Sequence, residues 1–307
     1  MPRFICLFLC AAGLCFSSEA PSRDVLCSRV LANTLSAQYS LAQAQADSIA
    51  AIDPGAGVFF RNMVRISRFD DLGDTLDLLR SGVALDSTPL KDPFWESLRL
   101  FQLGYVKAEL HSTIAAALTT RKAAQIFKTM PSLDAKAFYA IYAYYMEGAT
   151  AWVPFTTDRR AEMLTTLEAA SISSRWYWPL FSTSLAWMYF DRKEYDKALH
   201  IVERSLQRSP NHPVFSQMKG DMLFRLNRYP EAAQVYEASA AQYAVRAPYS
   251  IRWWSAAGNL MRIYAAMHDT ARLAKWQGYF RDPRFERVRP WMPHSLLKAL
   301  DDANLLP

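Results

Sequence analysis

Glycine is scarce in this chain, ten residues in 307, and none sits in a phosphate-cradling loop or around a nucleophilic serine. Histidine is scarcer. The five, at positions 111, 200, 212, 268 and 294, have no second histidine, cysteine or paired acid at ligand spacing, so no zinc or other metal site is expected. There is no His-Glu-x-x-His pair and no cofactor signature, which leaves no ground to propose catalysis. Cysteine is nearly absent beyond the first fifteen residues. Cys6, Cys10 and Cys15 lie in the opening segment and only Cys27 follows, so the remainder cannot form an internal disulfide. Cys27 reads as a buried apolar position, with nothing local to activate its thiol.

Long apolar runs are also missing, with one exception. "MPRFICLFLCAAGLCFSSEA" places Arg3 before an apolar stretch from Phe4 to Phe16 and small residues at Ser17, Ser18 and Ala20. That order reads as a signal peptide over residues 1–20, too short to span a bilayer comfortably. The layout also resembles a bacterial lipoprotein leader with Cys15 as the acceptor, although Leu14 stands where a small residue is usual. The expected location is the periplasm, with an outer-membrane lipoprotein or an extracellular protein as alternatives.

The chain has 51% hydrophobic and 21% charged residues, a composition able to bury a sizeable core. Its net charge of +6 is spread among 29 acids without a dense basic tract, so nucleic acid is not an expected partner. Few helix breakers and abundant Ala, Leu, Arg, Met and Gln predict an all-α fold.

Repetition carries the most information. "YDKALHIVERSLQRSP" starts at Tyr195 and "YPEAAQVYEASAAQYA" at Tyr229, 34 residues later, each with Ala at its fourth position. Leu185 and Tyr189 share one helix face before the first segment; Gly220 and Leu223 do so before the second. Pro210 and Asn211 stop the helix between the two units. Two helices per unit, small residues where they cross and a 34-residue period resemble a tetratricopeptide repeat. Lys219 and Ala244 depart from that pattern, which usually has an apolar residue and a proline at those places.

The resemblance implies a right-handed α-solenoid of helix-turn-helix repeats over 21–307. The units are clear over 179–212 and 213–246, present over 251–284 with Thr270 where Ala is expected, and faint over 23–56. A C-terminal cap covers 285–307. Between Phe59 and Trp178 the register is not legible, but apolar residues at threes and fours and breakers at Pro93, Pro131 and Pro154 predict further helical pairs. The tail "WQGYFRDPRFERVRPWMPH" interleaves Arg281, Arg284, Arg287 and Arg289 with aromatics, which suits a cap over the last repeat. The aromatic run before Glu147 reads as core rather than a glycan cleft.

In proteins of this resemblance, first helices line a concave groove that receives a partner's peptide or helix. By repeat position that groove takes Trp187 and Asp191, then Gln217, Asp221 and Arg225, then Asn259 and Arg262. The expected function is a non-enzymatic protein–protein interaction scaffold of the bacterial cell envelope, without cofactor. The alternatives are a lipid-anchored component of an outer-membrane assembly complex and an envelope glycan-binding protein.

Overall fold

A computed structural model describes residues 22–150, 158–210 and 212–306. The leader at 1–20 and Cys15 lie outside the described residues, as do Pro154 and Asn211. The chain is an all-α solenoid in which α1 to α14 each pack on their sequence neighbours.

Among the described residues, seven helical pairs follow one another. They are α1 (Arg23–Leu35) with α2 (Tyr39–Ile52), α3 (Pro54–Leu72) with α4 (Thr75–Ser87), α5 (Pro93–Glu109) with α6 (Thr113–Lys128), and α7 (Leu133–Thr150) with α8 (Arg160–Ser173). Then come α9 (Trp178–Asp191) with α10 (Tyr195–Arg208), α11 (Pro213–Arg225) with α12 (Tyr229–Arg246), and α13 (Ile251–Ala266) with α14 (Thr270–Tyr279). Two shorter helices, α15 (Pro283–Val288) and α16 (His294–Asp302), end the chain.

Three of these helices start on an Asp-Pro step. Asp53, Asp92 and Asp282 each accept a hydrogen bond from a backbone N–H of the first turn, and the proline that follows has no N–H to leave unpaired.

One turn recurs inside the pairs and reveals the register that the sequence hides. Ala37, His111, Lys193, Asn227 and His268 all have φ between 56° and 62°. Each lies two residues before a second helix, and the next residue donates its N–H to the carbonyl five positions back, as Ser112 does to Lys107 and Arg228 to Leu223. This left-handed stop satisfies carbonyls that a helix end otherwise leaves open. His111 and His268 are exposed residues with that conformational duty.

The turn at His111 makes α5 and α6 a full repeat. Gly104 faces Thr120, as Gly220 faces Tyr236, the partners lying 16 positions apart in both cases. A Cβ on Gly220 would stand 2.6 Å from the Tyr236 ring, so only glycine permits that crossing.

The third C-terminal unit differs from its 34-residue frame. The turn residues Asn227 and His268 are 41 apart, because α12 is four residues longer than α10 and α13 three longer than α11. Thr270 therefore opens the second helix instead of lying within it. Gly258 does not meet α14; its face is covered by Leu296 and Leu300 of α16.

Other departures have local partners. Lys219 pairs with Glu203 at 2.9 Å, and Asn33 on α1 donates to Gln45 on α2 at 2.8 Å. In the tail, Phe280 and Phe285 pack on Trp254, while the Arg284 guanidinium covers Tyr249 at 3.5 Å.

The array does not stay open. Phe59, Phe94, Phe138 and Phe181, all from first helices, converge on the buried Tyr177 and fill the inner side of the front pairs. The end of α3 also meets the start of α13. There the Tyr39 hydroxyl donates to Asp71 at 2.7 Å, Arg252 faces the same carboxylate at 3.8 Å, and Trp291 packs edge-on against Phe69. Arg175 pairs with Asp24 at 2.6 Å as a second contact between distant repeats.

Candidate functional site

With the front filled, the open concave surface lies over α9, α11 and α13. A groove of about 630 Å³ is lined by Trp187 and Phe190 from α9, residues from Gln217 to Arg225 on α11, and residues from Ile251 to Arg262 on α13. The C-terminal cap forms its far wall through Trp291, Leu296 and Ala299, and Asp70 of α3 closes one corner. The volume falls within the range of preformed ligand sites and admits a short stretch of chain.

The structure brings six of the seven groove residues named from the sequence to this cavity: Trp187, Gln217, Asp221, Arg225, Asn259 and Arg262. Asp191 is not among them. It is the last residue of α9 and is exposed beyond the groove's end.

Two of the six also work inside the fold. Gln217 donates to the Arg252 carbonyl at 2.7 Å, tying α11 to α13. Asp221 accepts from the buried Tyr236 hydroxyl at 2.5 Å, next to the Gly220 crossing.

The cations form a staircase. Arg225 of α11 lies over Phe190 of α9 at 5.4 Å, and Arg262 of α13 lies over Phe224 of α11 at 4.5 Å. Each ring steadies the guanidinium of the next repeat. Arg262 also donates to Asn259 at 3.1 Å, yet no carboxylate lies within ion-pair distance of Arg225 or Arg262 among the described residues. Phe190 and Phe224 are also 34 residues apart, a spacing that gains meaning only once the helices place both rings at the groove.

Burial pushes the Asp221 carboxyl up to about 6, against the Tyr236 hydrogen bond and the two arginines, which hold it down. A carboxyl raised in the folded state contributes stability that is full below its unfolded pKa and is lost as pH rises through the folded one. His212, lowered to about 4 by burial, has the opposite sign in an overlapping window. The difference between two variants therefore isolates Asp221. The stability advantage of Asp221→Asn over the wild type should grow by on the order of 1 kcal/mol between pH 4.5 and 7.5, measured by urea unfolding. A pH-independent difference would show that Asp221 is ionised without penalty.

Cys27 is fully buried and its thiol is pushed up to about 11 by burial, which removes it as a nucleophile at neutral pH. Glu147 accepts a backbone hydrogen bond from Arg159 at 2.7 Å. Among the described residues no three His, Cys, Asp or Glu side chains converge as a metal site, and no helix is long and apolar enough to cross a membrane.

No protein-family model and no curated protein matches the chain. Among solved structures, a tetratricopeptide repeat protein from Parabacteroides merdae aligns with a TM-score of 0.42 at 11% identity, over 84% of this chain and 91% of the other. The TPR2AB domain of yeast Sti1, in complex with pHSP90, aligns with a TM-score of 0.29 at 12% identity, over 92% and 96%. The repeat architecture of this chain rests on its own turns and helix crossings.

Proposed function

We propose that the protein is a non-catalytic scaffold that holds a short segment of another protein in the groove over α9, α11 and α13. The observation that carries this reading is the pair of ring-supported guanidinium groups, Arg225 and Arg262, facing the cavity with Asp221 nearby but no carboxylate within ion-pair distance among the described residues. Such groups favour a segment with an acidic side chain, since an arginine fork can bind a carboxylate through two hydrogen bonds. Trp187, half-buried and packed edge-on against Phe190, offers the apolar anchor beside them.

The leader-like segment at 1–20 supports export. The proposed setting is therefore the bacterial cell envelope, with the periplasm as the location.

The test compares partner capture from the native cells by wild type and by Trp187→Ala/Arg225→Ala. Trp187 is half-buried against the core and Arg225 lies over Phe190, so the variant should melt somewhat below the wild type, and capture is compared at a temperature where both are folded. Loss of two interface anchors should weaken the retained partner by roughly 30-fold or more. Undiminished capture by the folded variant would remove the groove from the function.

A further inference from the structure

A second concavity lies between α2, α3 and α4, shares no residue with the groove, and has a volume of about 860 Å³. Its wall carries four arginines. Arg61, Arg65 and Arg68 follow at four and three along one side of α3, and Arg80 projects from α4.

Two of them are neutralised within the fold: Arg61 pairs with Asp47 at 2.6 Å, and Arg68 pairs with the buried Asp77. Arg65 and Arg80 have no acidic partner among the described residues. A separate shallow hollow includes the same two arginines together with Leu79, Val83 and Ala84. The unpaired charges therefore mark the border between a polar cleft and an apolar ridge.

That ridge is unusual for a solvated helix. Leu76 and Leu79 are 49% exposed and Val83 72%, all on the outer side of α4. The theme continues on α6, where Ile114 is 79% and Leu118 61% exposed. Among the described residues no other second helix exposes three: α2 exposes Leu41 and Ile52, α8 Ile172, α12 Val245, α14 Tyr279, and α10 none.

We infer that this cleft binds a phosphate-bearing ligand between Arg65 and Arg80, and that the ligand is the headgroup of an anionic lipid. Guanidinium forks match phosphate oxygens in pairs, and two uncommitted forks at one cleft supply that match without breaking an existing ion pair. The distribution of polarity selects the lipid over an acidic partner helix. A helix lying in the cleft would need a continuous apolar lining, whereas here Val58, Val64 and Ala84 are interrupted by Gln43, Asn62 and Asp77. The apolar residues stand instead on the ridge beside the arginines, where they would enter the bilayer interface while the headgroup occupies the cleft.

Vesicle flotation of the full chain tests this, with phosphatidylcholine vesicles with and without phosphatidylglycerol. A thermal-shift titration with inorganic pyrophosphate forms the soluble arm. Wild type should float only with the anionic vesicles, and less so as salt is added. Arg65→Glu/Arg80→Glu should lower flotation at least about tenfold, and Leu79→Ser/Val83→Ser should lower it while leaving the melting temperature unchanged. A pyrophosphate-induced rise in melting temperature that needs both arginines, without flotation, would uphold the cleft as a phosphate site and overturn the lipid as its source. Flotation or stabilisation that survives the double charge reversal would overturn the site, as would no response in either arm. Binding of an acidic peptide that depends on Arg65 and Arg80, in the absence of flotation and of a pyrophosphate response, would likewise overturn it. Because the groove and the cleft share no residue, the fate of the groove variants is separate from this outcome.

Discussion

Gly220→Leu is expected to abolish the folded state or leave it with no cooperative melt. The Cβ alone would stand 2.6 to 2.9 Å from three atoms of the Tyr236 ring, and that ring is among the largest fully buried side chains. It cannot turn away, because its hydroxyl is bonded to Asp221 at 2.5 Å and core surrounds it. Even Gly220→Ala should cost about 1–3 kcal/mol, the range for overpacking a dense core. Gly278 is the internal control. It lies within α14 with nothing inside 4 Å of a Cβ, so Gly278→Ala should raise stability by about 0.5–1 kcal/mol through helix propensity. Equal tolerance of alanine at both sites in thermal melts would refute the packing assigned to α11 and α12.

Asp71→Leu is expected to open the array. Asp71 is fully buried, accepts from Tyr39 of the first pair and faces Arg252, so it joins the second pair to the seventh across 181 positions of sequence. Without it the Tyr39 phenol loses its acceptor and Arg252 its counter-charge, a change that should cost roughly 2–4 kcal/mol. Small-angle scattering should then report a larger radius of gyration, since α3 and α13 meet over few residues. Asp71→Asn should be milder. It keeps an acceptor for Tyr39 and removes a carboxylate that burial disfavours, a burial that already raises the Asp71 pKa. Unchanged dimensions in the leucine variant would show that the closure does not depend on this cluster.

Legibility in the sequence followed the side chains that punctuate the repeats. Tyr195 and Tyr229 open their second helices in identical register, so those units and their groove residues could be placed by counting. In the middle of the chain Thr113 and Thr120 occupy the places of Tyr229 and Tyr236, and the turn residue is His111 where Asn227 would be expected. The backbone repeats there while the side chains do not, because the left-handed turn and a tolerable crossing are all the geometry requires. The closure was illegible for another reason. Its partners, Asp71 and Arg252, lie far apart in sequence, and nothing local distinguishes a buried carboxylate from an exposed one on the same helix. The shift in the seventh pair came from added helix length, which a fixed 34-residue frame cannot register.

The measurement that bears most directly on the account is site-specific photo-crosslinking in the native cells. A benzophenone amino acid replaces Trp187 in the groove or, as a control, Gly278 on the open side of α14. Capture of a discrete partner from position 187, with the link mapped to an acidic segment of that partner and no equivalent product from position 278, is the predicted result. The same partner captured equally from both positions, or from position 278 alone, would contradict the groove as the binding surface.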